Sequence, residues 1–301
     1  MTLPNFLIIG SAKAGTTSLY VYLMQHPEIY MSPVKETHFF SFDNESKMTK
    51  GPGDPIYKAI TDVNDYQALF NDVRDEKAIG EASTSYLYRP EAPGRILEML
   101  PEVKLIAILR NPVDRAFSAY MHVVRDERET AENFEKALAL EESRKAANWD
   151  PIWHFTSVGH YYEQLERYFK VFKRDQIKIY LYEDLNLNKD NLLKDIFNFL
   201  GVNPDFSPES SVRYNVTGKQ KSQLFYKTTN WLFSTPNPVR WVSRQVFSDI
   251  HRGNFANWVR QRNLTKYSLS PETRIKLIKN YTTEILQLQD LLDRDLTMWL
   301  N

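Results

Sequence analysis

The sequence predicts an α/β protein, a central and mainly parallel sheet with helices on both of its faces. Three short apolar runs rich in β-formers, Asn5–Gly10, Lys104–Arg110 and Ile177–Tyr182, read as buried parallel strands. Segments with helical spacing alternate with them. The first run passes at once through a glycine-bearing turn into a helix, the usual opening of a nucleotide-binding domain.

The elements follow in order. Thr16–Gln25 carries Leu19, Tyr22 and Leu23 at helical spacing, and His26-Pro27 stops it. After Lys104–Arg110, Asn111 is a candidate N-cap and Pro112 occupies the first helical position, where its missing N–H costs nothing. A helix over roughly Tyr161–Phe172 precedes the strand Ile177–Tyr182, and a further helix, Asn191–Leu200, ends at Gly201. The last helix starts at Ser270-Pro271, with Ile275, Ile278, Tyr281, Ile285, Leu288, Leu292 and Leu296 as its apolar stripe. Asp43–Pro55, with two glycines and two prolines, reads as a surface loop.

With 301 residues, 42% hydrophobic and 25% charged, the chain is long enough for a large core, and no Gly/Ser- or Pro-rich linker divides it. One domain over residues 1–301 is the expectation. Lys and Arg number 38, as do Asp and Glu, so net charge argues neither for nor against a polyanionic partner. The chain has no cysteine, which excludes disulfides and thiolate metal sites. It has neither a leader-like N-terminus nor an apolar run near the roughly 20 residues a membrane span needs, so a cytoplasmic location is expected.

Gly10-Ser11-Ala12-Lys13-Ala14-Gly15-Thr16-Thr17 has the frame of a phosphate loop, two glycines separated by four residues. The lysine that normally follows the second glycine is replaced by Thr16, and Lys13 stands inside the loop instead. The frame still suits an anion, because N–H groups of Thr16, Thr17 and Ser18 point out of a helix N-terminus and Gly15 allows close backbone approach. A nucleoside-triphosphate enzyme generally places an Asp at the end of a later strand to hold Mg²⁺. Here that strand ends in Leu109-Arg110, which turns a cation site into a second anion site. A sulfuryl donor accounts for both changes: it carries less charge than a γ-phosphoryl group, and a lysine can meet the charge building on its leaving phosphate.

Residues Phe6–Ser18 resemble the 5'-phosphosulfate loop of the PAPS-dependent sulfotransferases (PAPS is 3'-phosphoadenosine-5'-phosphosulfate), and Leu109–Tyr120 resembles their 3'-phosphate motif. The resemblance is to the heparan-sulfate-type and bacterial branch, which includes sulfotransferase domains of polyketide synthases. It implies a P-loop-like sulfotransferase fold, PAPS as donor, its product PAP, and no metal requirement. It also implies that Lys13, Ala14, Gly15, Thr16, Thr17 and Ser18 hold the 5' end, Arg110 and Ser118 the 3'-phosphate, and that Lys13 assists the leaving group.

Lys35-Glu36-Thr37-His38-Phe39-Phe40 resembles the family's Lys-Glu-x-x-Phe-Phe segment, which supplies a glutamate base with a histidine nearby. The carry-over makes Glu36 the base and His38 its neighbour or an alternative base. An acceptor hydroxyl must lose its proton as the new S–O bond forms, and a carboxylate or imidazole in reach contributes about 10²–10⁴-fold. Flanking aromatics are expected to raise the Glu36 pKa, and an extended segment would put Glu36 and His38 on one face. Lys35 reads as solvated or acceptor-facing. Gly80–Leu87 resembles a family segment that often carries Lys directly after its Glu, and Ala82 stands there instead, which argues against a heparan-like acceptor. Glu81 reads as an acceptor contact, an orienter of the base, or a buried structural partner.

Between Arg213 and Arg262 lie nine Lys and Arg against one acid, Asp249, together with three of the six Trp. This segment reads as a cofactor or acceptor lid, as a docking face for an acidic acyl carrier protein, or as a merely solvated amphipathic stretch. Within its first residues Lys219 resembles a 3'-phosphate contact of the family. No nucleic-acid motif accompanies the charge, and the remaining histidines form no ligand pattern. The acceptor expected is a hydroxyl on a glycan, a lipid or a carrier-bound acyl chain. The competing readings are a P-loop kinase, which predicts Mg²⁺-dependent ATP turnover, and a module that binds PAP without transfer.

Overall fold

In the computed structural model, which describes residues 2–42, 51, 59–209, 219–220, 264–265 and 268–301, five short strands form one parallel sheet. These are β1 (Phe6–Gly10), β2 (Ile29–Met31), β3 (Ala78–Ala82), β4 (Lys104–Leu109) and β5 (Ile177–Leu181), in the order β2-β3-β1-β4-β5. Phe6 is in register with Gly80 on one side and Lys104 on the other, and Leu105 with Ile177. Two further strands, β6 (Lys219–Gln220) and β7 (Leu264–Thr265), pair antiparallel as a separate ribbon.

The helices among the described residues are α1 (Thr16–Leu23), α2 (Val63–Ala68), α3 (Ser85–Tyr88), α4 (Ala92–Met99), α5 (Pro112–Arg125), α6 (Phe134–Ala139), α7 (Glu141–Ala146), α8 (Tyr161–Phe169), α9 (Tyr182–Leu187), α10 (Lys189–Leu200) and α11 (Pro271–Leu292). Strand alternation sorts them onto two faces. Phe6, Ile8, Ile106 and Ile108 pack with Leu19 and Leu23 of α1 and with Ile196 and Phe197 of α10. Leu7, Ile9, Leu105 and Ala107 pack on the opposite face with Ile96 of α4, Val113 and Ala116 of α5, Leu165 of α8, and Tyr281 and Ile285 of α11. The α/β architecture with helices on both faces is therefore present.

Local signals hold at most ends. The Asn111 side chain accepts from the N–H groups of Val113 (2.9 Å) and Asp114 (3.3 Å), and Gly201 closes α10 in the left-handed region at φ 77°. The stripe expected on the last helix is shifted. Ile275 is 68% exposed, the buried positions are Thr273, Leu277, Tyr281, Glu284, Ile285 and Leu288, and Leu296 lies buried beyond the helix end. Packing against α8 and α5 selects the phase, so Ile275, two positions from both Thr273 and Leu277 and hence on the far side of the helix, faces solvent.

Candidate active site

The strand ends of β1 and β4 carry the two predicted anion-binding segments to the same edge of the sheet, as a parallel sheet requires of adjacent strands. After β1, the Ser11 N–H donates to the Ile108 carbonyl (2.8 Å), and the chain turns through Gly15 into α1. Gly15 has φ 99°, and a Cβ there would stand 3.0 Å from Leu185 Cδ2 and 3.1 Å from Tyr182 Cδ2. Both its conformation and its packing call for glycine.

A cavity of about 280 Å³ opens at this edge. Lys13, Gly15, Thr16, Thr17 and Ser18 line it together with Arg110, Ser118, Lys35 and Glu36. The two predicted anion-binding segments thus share one cavity. Arg110 crosses between them: its Nη1 donates to the Lys13 carbonyl at 3.3 Å, and its guanidinium lies 4.8 Å from the Tyr182 ring centroid. Ser118 sits on the buried face of α5, one and a half turns in.

Cations dominate. Lys13, Lys35, Arg110 and Arg128 line the cavity against the acids Glu36 and Asp150. Burial, reinforced by the positive charges of Arg125, Arg110 and Lys35, pushes the Lys13 ammonium down to about 8. His122, one turn beyond Ser118, is pushed down to about 3 by burial and by Lys13 and Arg125, so its imidazole is neutral. Crowded like charges in a partly dry cavity suit a multiply charged anion, whose binding relieves their repulsion.

Glu36 lines the same cavity, beside Lys35. Its Oε2 accepts from the Thr84 N–H (2.8 Å) and hydroxyl (3.1 Å), and its Oε1 pairs with Lys35 Nζ at 2.5 Å. Burial raises its pKa, yet the Lys35 charge and these hydrogen bonds outweigh burial and hold the carboxyl below its ordinary value. The expected upward shift is therefore corrected in sign. The expected extended backbone is corrected as well: Glu36 and His38 both adopt left-handed conformations, at φ 63° and 56°. Their side chains still meet, with His38 Nε2 4.0 Å from Glu36 Oε2. His38 is buried, and burial pushes its imidazole down to about 4, so both groups are deprotonated at neutral pH.

His38 does not line the main cavity. It faces an annex of about 70 Å³ that shares Ala12, Thr84, Asp150 and Ile152 with it, and whose other described walls are Phe42, Ser85, Tyr88, Pro151 and Val158. The annex is mostly apolar.

Ala14, Glu81 and Lys35 are placed as follows. The Ala14 side chain is buried in the core beneath the loop and its N–H donates to the Ser11 carbonyl (3.2 Å), so it does not line the cavity. Glu81 is fully buried and lines neither space, because β3 points it into the protein interior. Lys35 lines the main cavity beside Glu36. The side chain of Lys219, and nearly all of the basic segment 213–262, lie outside the described residues, as does most of the loop Asp43–Pro55.

The reading of the sequence missed Thr84, His122, Arg128, Asp150 and Tyr182. His122 was accessible, since four residues after Ser118 on a helix is the same face. The others come from loops and strand ends that carry no periodic signal. Among the described residues no group of His, Asp or Glu is arranged to hold a metal ion, and no helix is long and apolar enough to cross a membrane.

A family model described as the sulfotransferase domain matches residues 3–282. A heparan sulfate N-deacetylase/N-sulfotransferase of Mus musculus is 29% identical over 71% of this chain and 24% of its own length. A membrane-associated sulfotransferase of Dictyostelium discoideum is 24% identical over 76% of this chain and 64% of its own length. The chain thus spans about a quarter of the mouse relative and under two thirds of the other. A solved sulfotransferase of Alicyclobacillus acidocaldarius is 36% identical, covers 100% of both chains and superposes with a TM-score of 0.78.

Proposed function

The chain belongs to the sulfotransferase domain family, and on that premise we propose that it moves a sulfuryl group from PAPS to an acceptor hydroxyl by in-line displacement. The observation that carries this reading is the shared cavity, which Lys13 and the Thr16–Ser18 helix start line together with Arg110 and Ser118. A nucleotide with phosphates at both 5' and 3' needs two such holds, and a triphosphate does not.

Each residue has a role in that reading. Arg110, with Ser118, takes the 3'-phosphate through charge-assisted hydrogen bonds. The first-turn N–H groups of α1 and the hydroxyls of Thr16, Thr17 and Ser18 hold the 5' end. Glu36 removes the acceptor proton as the acceptor oxygen bonds to sulfur. The bond from sulfur to the phosphate oxygen breaks, and Lys13 meets the charge left on that oxygen. Glu36 is favoured over His38 as the base because its carboxylate opens on the cavity that holds Lys13.

The acceptor reading rests on the annex. Its apolar walls, Phe42, Tyr88, Pro151, Ile152 and Val158, suit a hydroxyl on an alkyl skeleton, as in a lipid or a carrier-bound hydroxyacyl chain, better than one on a polyanionic glycan. Ala82, where the family often has Lys, favours the same side. The glycan alternative draws its support from the mouse relative, whose name states heparan sulfate. Incubation with labelled PAPS and a panel of hydroxyacyl carriers, lipids and glycans tests both levels. Label on a hydroxyacyl chain or lipid supports the full reading, label on glycans alone overturns the acceptor, and Mg²⁺-dependent ATP turnover without PAPS use overturns the donor.

A further inference from the structure

We propose that Glu81 is a positioning residue for catalysis, its buried carboxylate gripping Thr37 and so setting the directions of Glu36 and His38 on either side. The proposal rests on the reading of Glu36 as the base.

Glu81 lies in β3 with 0% exposure. A buried carboxylate is normally matched by a cation. The hydrogen bonds to Glu81 come instead from four hydroxyls. Its Oε2 accepts from Thr37 Oγ1 (2.9 Å) and Ser83 Oγ (3.0 Å), and its Oε1 accepts from Tyr86 and from Tyr66 (3.4 Å). The two tyrosines are fully buried side chains of α3 and α2, so this cage is rigid on three sides. The fourth side is Thr37, which is also fully buried, with its hydroxyl oxygen 2.9 Å from that of Tyr86.

Thr37 separates the two catalytic candidates. Its side chain points into the cage, whereas Glu36 lines the donor cavity and His38 the annex. The backbone on both sides is tied to the same strand end. The Glu36 N–H donates to the Ala82 carbonyl (2.8 Å), and the His38 N–H donates to Ser83 Oγ (3.1 Å), itself a donor to Glu81. Glu36 and His38 hold left-handed conformations, which residues with a Cβ keep only where their surroundings enforce them. The cage supplies that enforcement. Burial raises the Glu81 pKa to about 7, against the hydrogen bonds from Tyr86, Thr37 and Ser83, which lower it.

The test uses Glu81→Gln and, from the other end of the contact, Thr37→Val with Thr37→Ser as the conservative rescue. All are compared in the natural chain and in a Glu36→Ala background. Expected are a kcat lowered roughly tenfold to a hundredfold in E81Q and T37V, with unchanged PAP affinity and unchanged KM for PAPS, and recovery in T37S. In the Glu36→Ala background neither substitution lowers kcat further, because the cage acts through Glu36. A kcat unchanged in T37V and E81Q, while Glu36→Ala lowers it, overturns the positioning role and leaves the base assigned. Additive losses in the Glu36→Ala background, or loss of PAP affinity in T37V, also overturn it. Full activity of Glu36→Ala overturns the base reading and this proposal with it. Should E81Q fail to fold, T37V and T37S decide alone.

Discussion

The Arg110 guanidinium donates to the backbone carbonyl of Lys13 at 3.3 Å, and through this one contact the segment after β4 braces the loop after β1. The two residues come from separate motifs 97 positions apart. Their contact makes one charged cavity out of two turns, and it means that each anion hold depends on the shape of the other.

Lys13 gives the first prediction. Lys13→Ala lowers kcat by about 10²–10³, the usual cost of removing one donor from a developing charge, while the melting temperature stays close to that of the natural chain. The ammonium is charged below its pKa of about 8 and lost above it. The kcat/KM for PAPS, which reports the free enzyme, therefore falls as pH rises through that value. A flat profile to pH 10, or turnover unaffected in the variant, removes Lys13 from the mechanism.

Arg110 and Ser118 can be separated from the rest by comparing nucleotides. Arg110→Ala weakens PAP binding by about 1.5–3 kcal/mol, and Ser118→Ala by about 1 kcal/mol. Adenosine 5'-phosphate, which lacks the 3'-phosphate, loses much less in either variant. Calorimetric titration with both nucleotides checks this, and equal losses for the two would mean that these residues do not hold the 3' end.

Glu36→Gln lowers kcat by about 10²–10⁴ without changing PAP affinity. The Lys35 charge and the Thr84 hydrogen bonds hold the Glu36 pKa below its ordinary value of 4.5, so the base stays ionised, and the rate stays flat, down to that pH. Lys35→Met removes the first of these restraints. The carboxyl pKa then rises, and the acid limb of the kcat/KM profile moves upward. An acid limb that stays in place would show that another group sets it.

Gly15→Ala places a Cβ at φ 99° against Leu185 and Tyr182. The left-handed conformation alone costs about 1–2 kcal/mol, so the melting temperature falls and PAP affinity falls with it, because the helix start that holds the 5' end is displaced. Thermal denaturation with and without PAP measures both effects. An unchanged melting temperature would show that the turn adapts freely.

Much of the site is legible in the chain because its signals are local. A phosphate loop needs its glycines and lysine within eight consecutive residues, and the 3' motif needs an Arg at a strand end with a Ser on the next helix, so each can be read without knowing what lies opposite. Strands β1 and β4 are apolar at consecutive positions because both faces are covered, β5 is apolar apart from Lys178, and Asn111 and Gly201 mark helix ends through their own side chain or lack of one. Strands β2 and β3 gave no such signal. Ile29–Met31 is three residues long, and Ala78–Ala82 contains a glycine and a buried glutamate, so their strand character comes from pairing with each other and with β1.

What the order of residues determined, then, is which groups are candidates to bind the anion and where the acid-histidine segment lies, since these depend on neighbours within a few positions. Tertiary structure alone decided that Lys13 and Arg110 face one space, that Lys35 neutralises Glu36 and keeps its pKa low, that His38 opens on an annex of its own, and that Glu81 is enclosed by hydroxyls from four other positions. Charge coupling and burial depend on distance through space, and side chains dozens of residues apart set those distances only when the sheet brings its strand ends together.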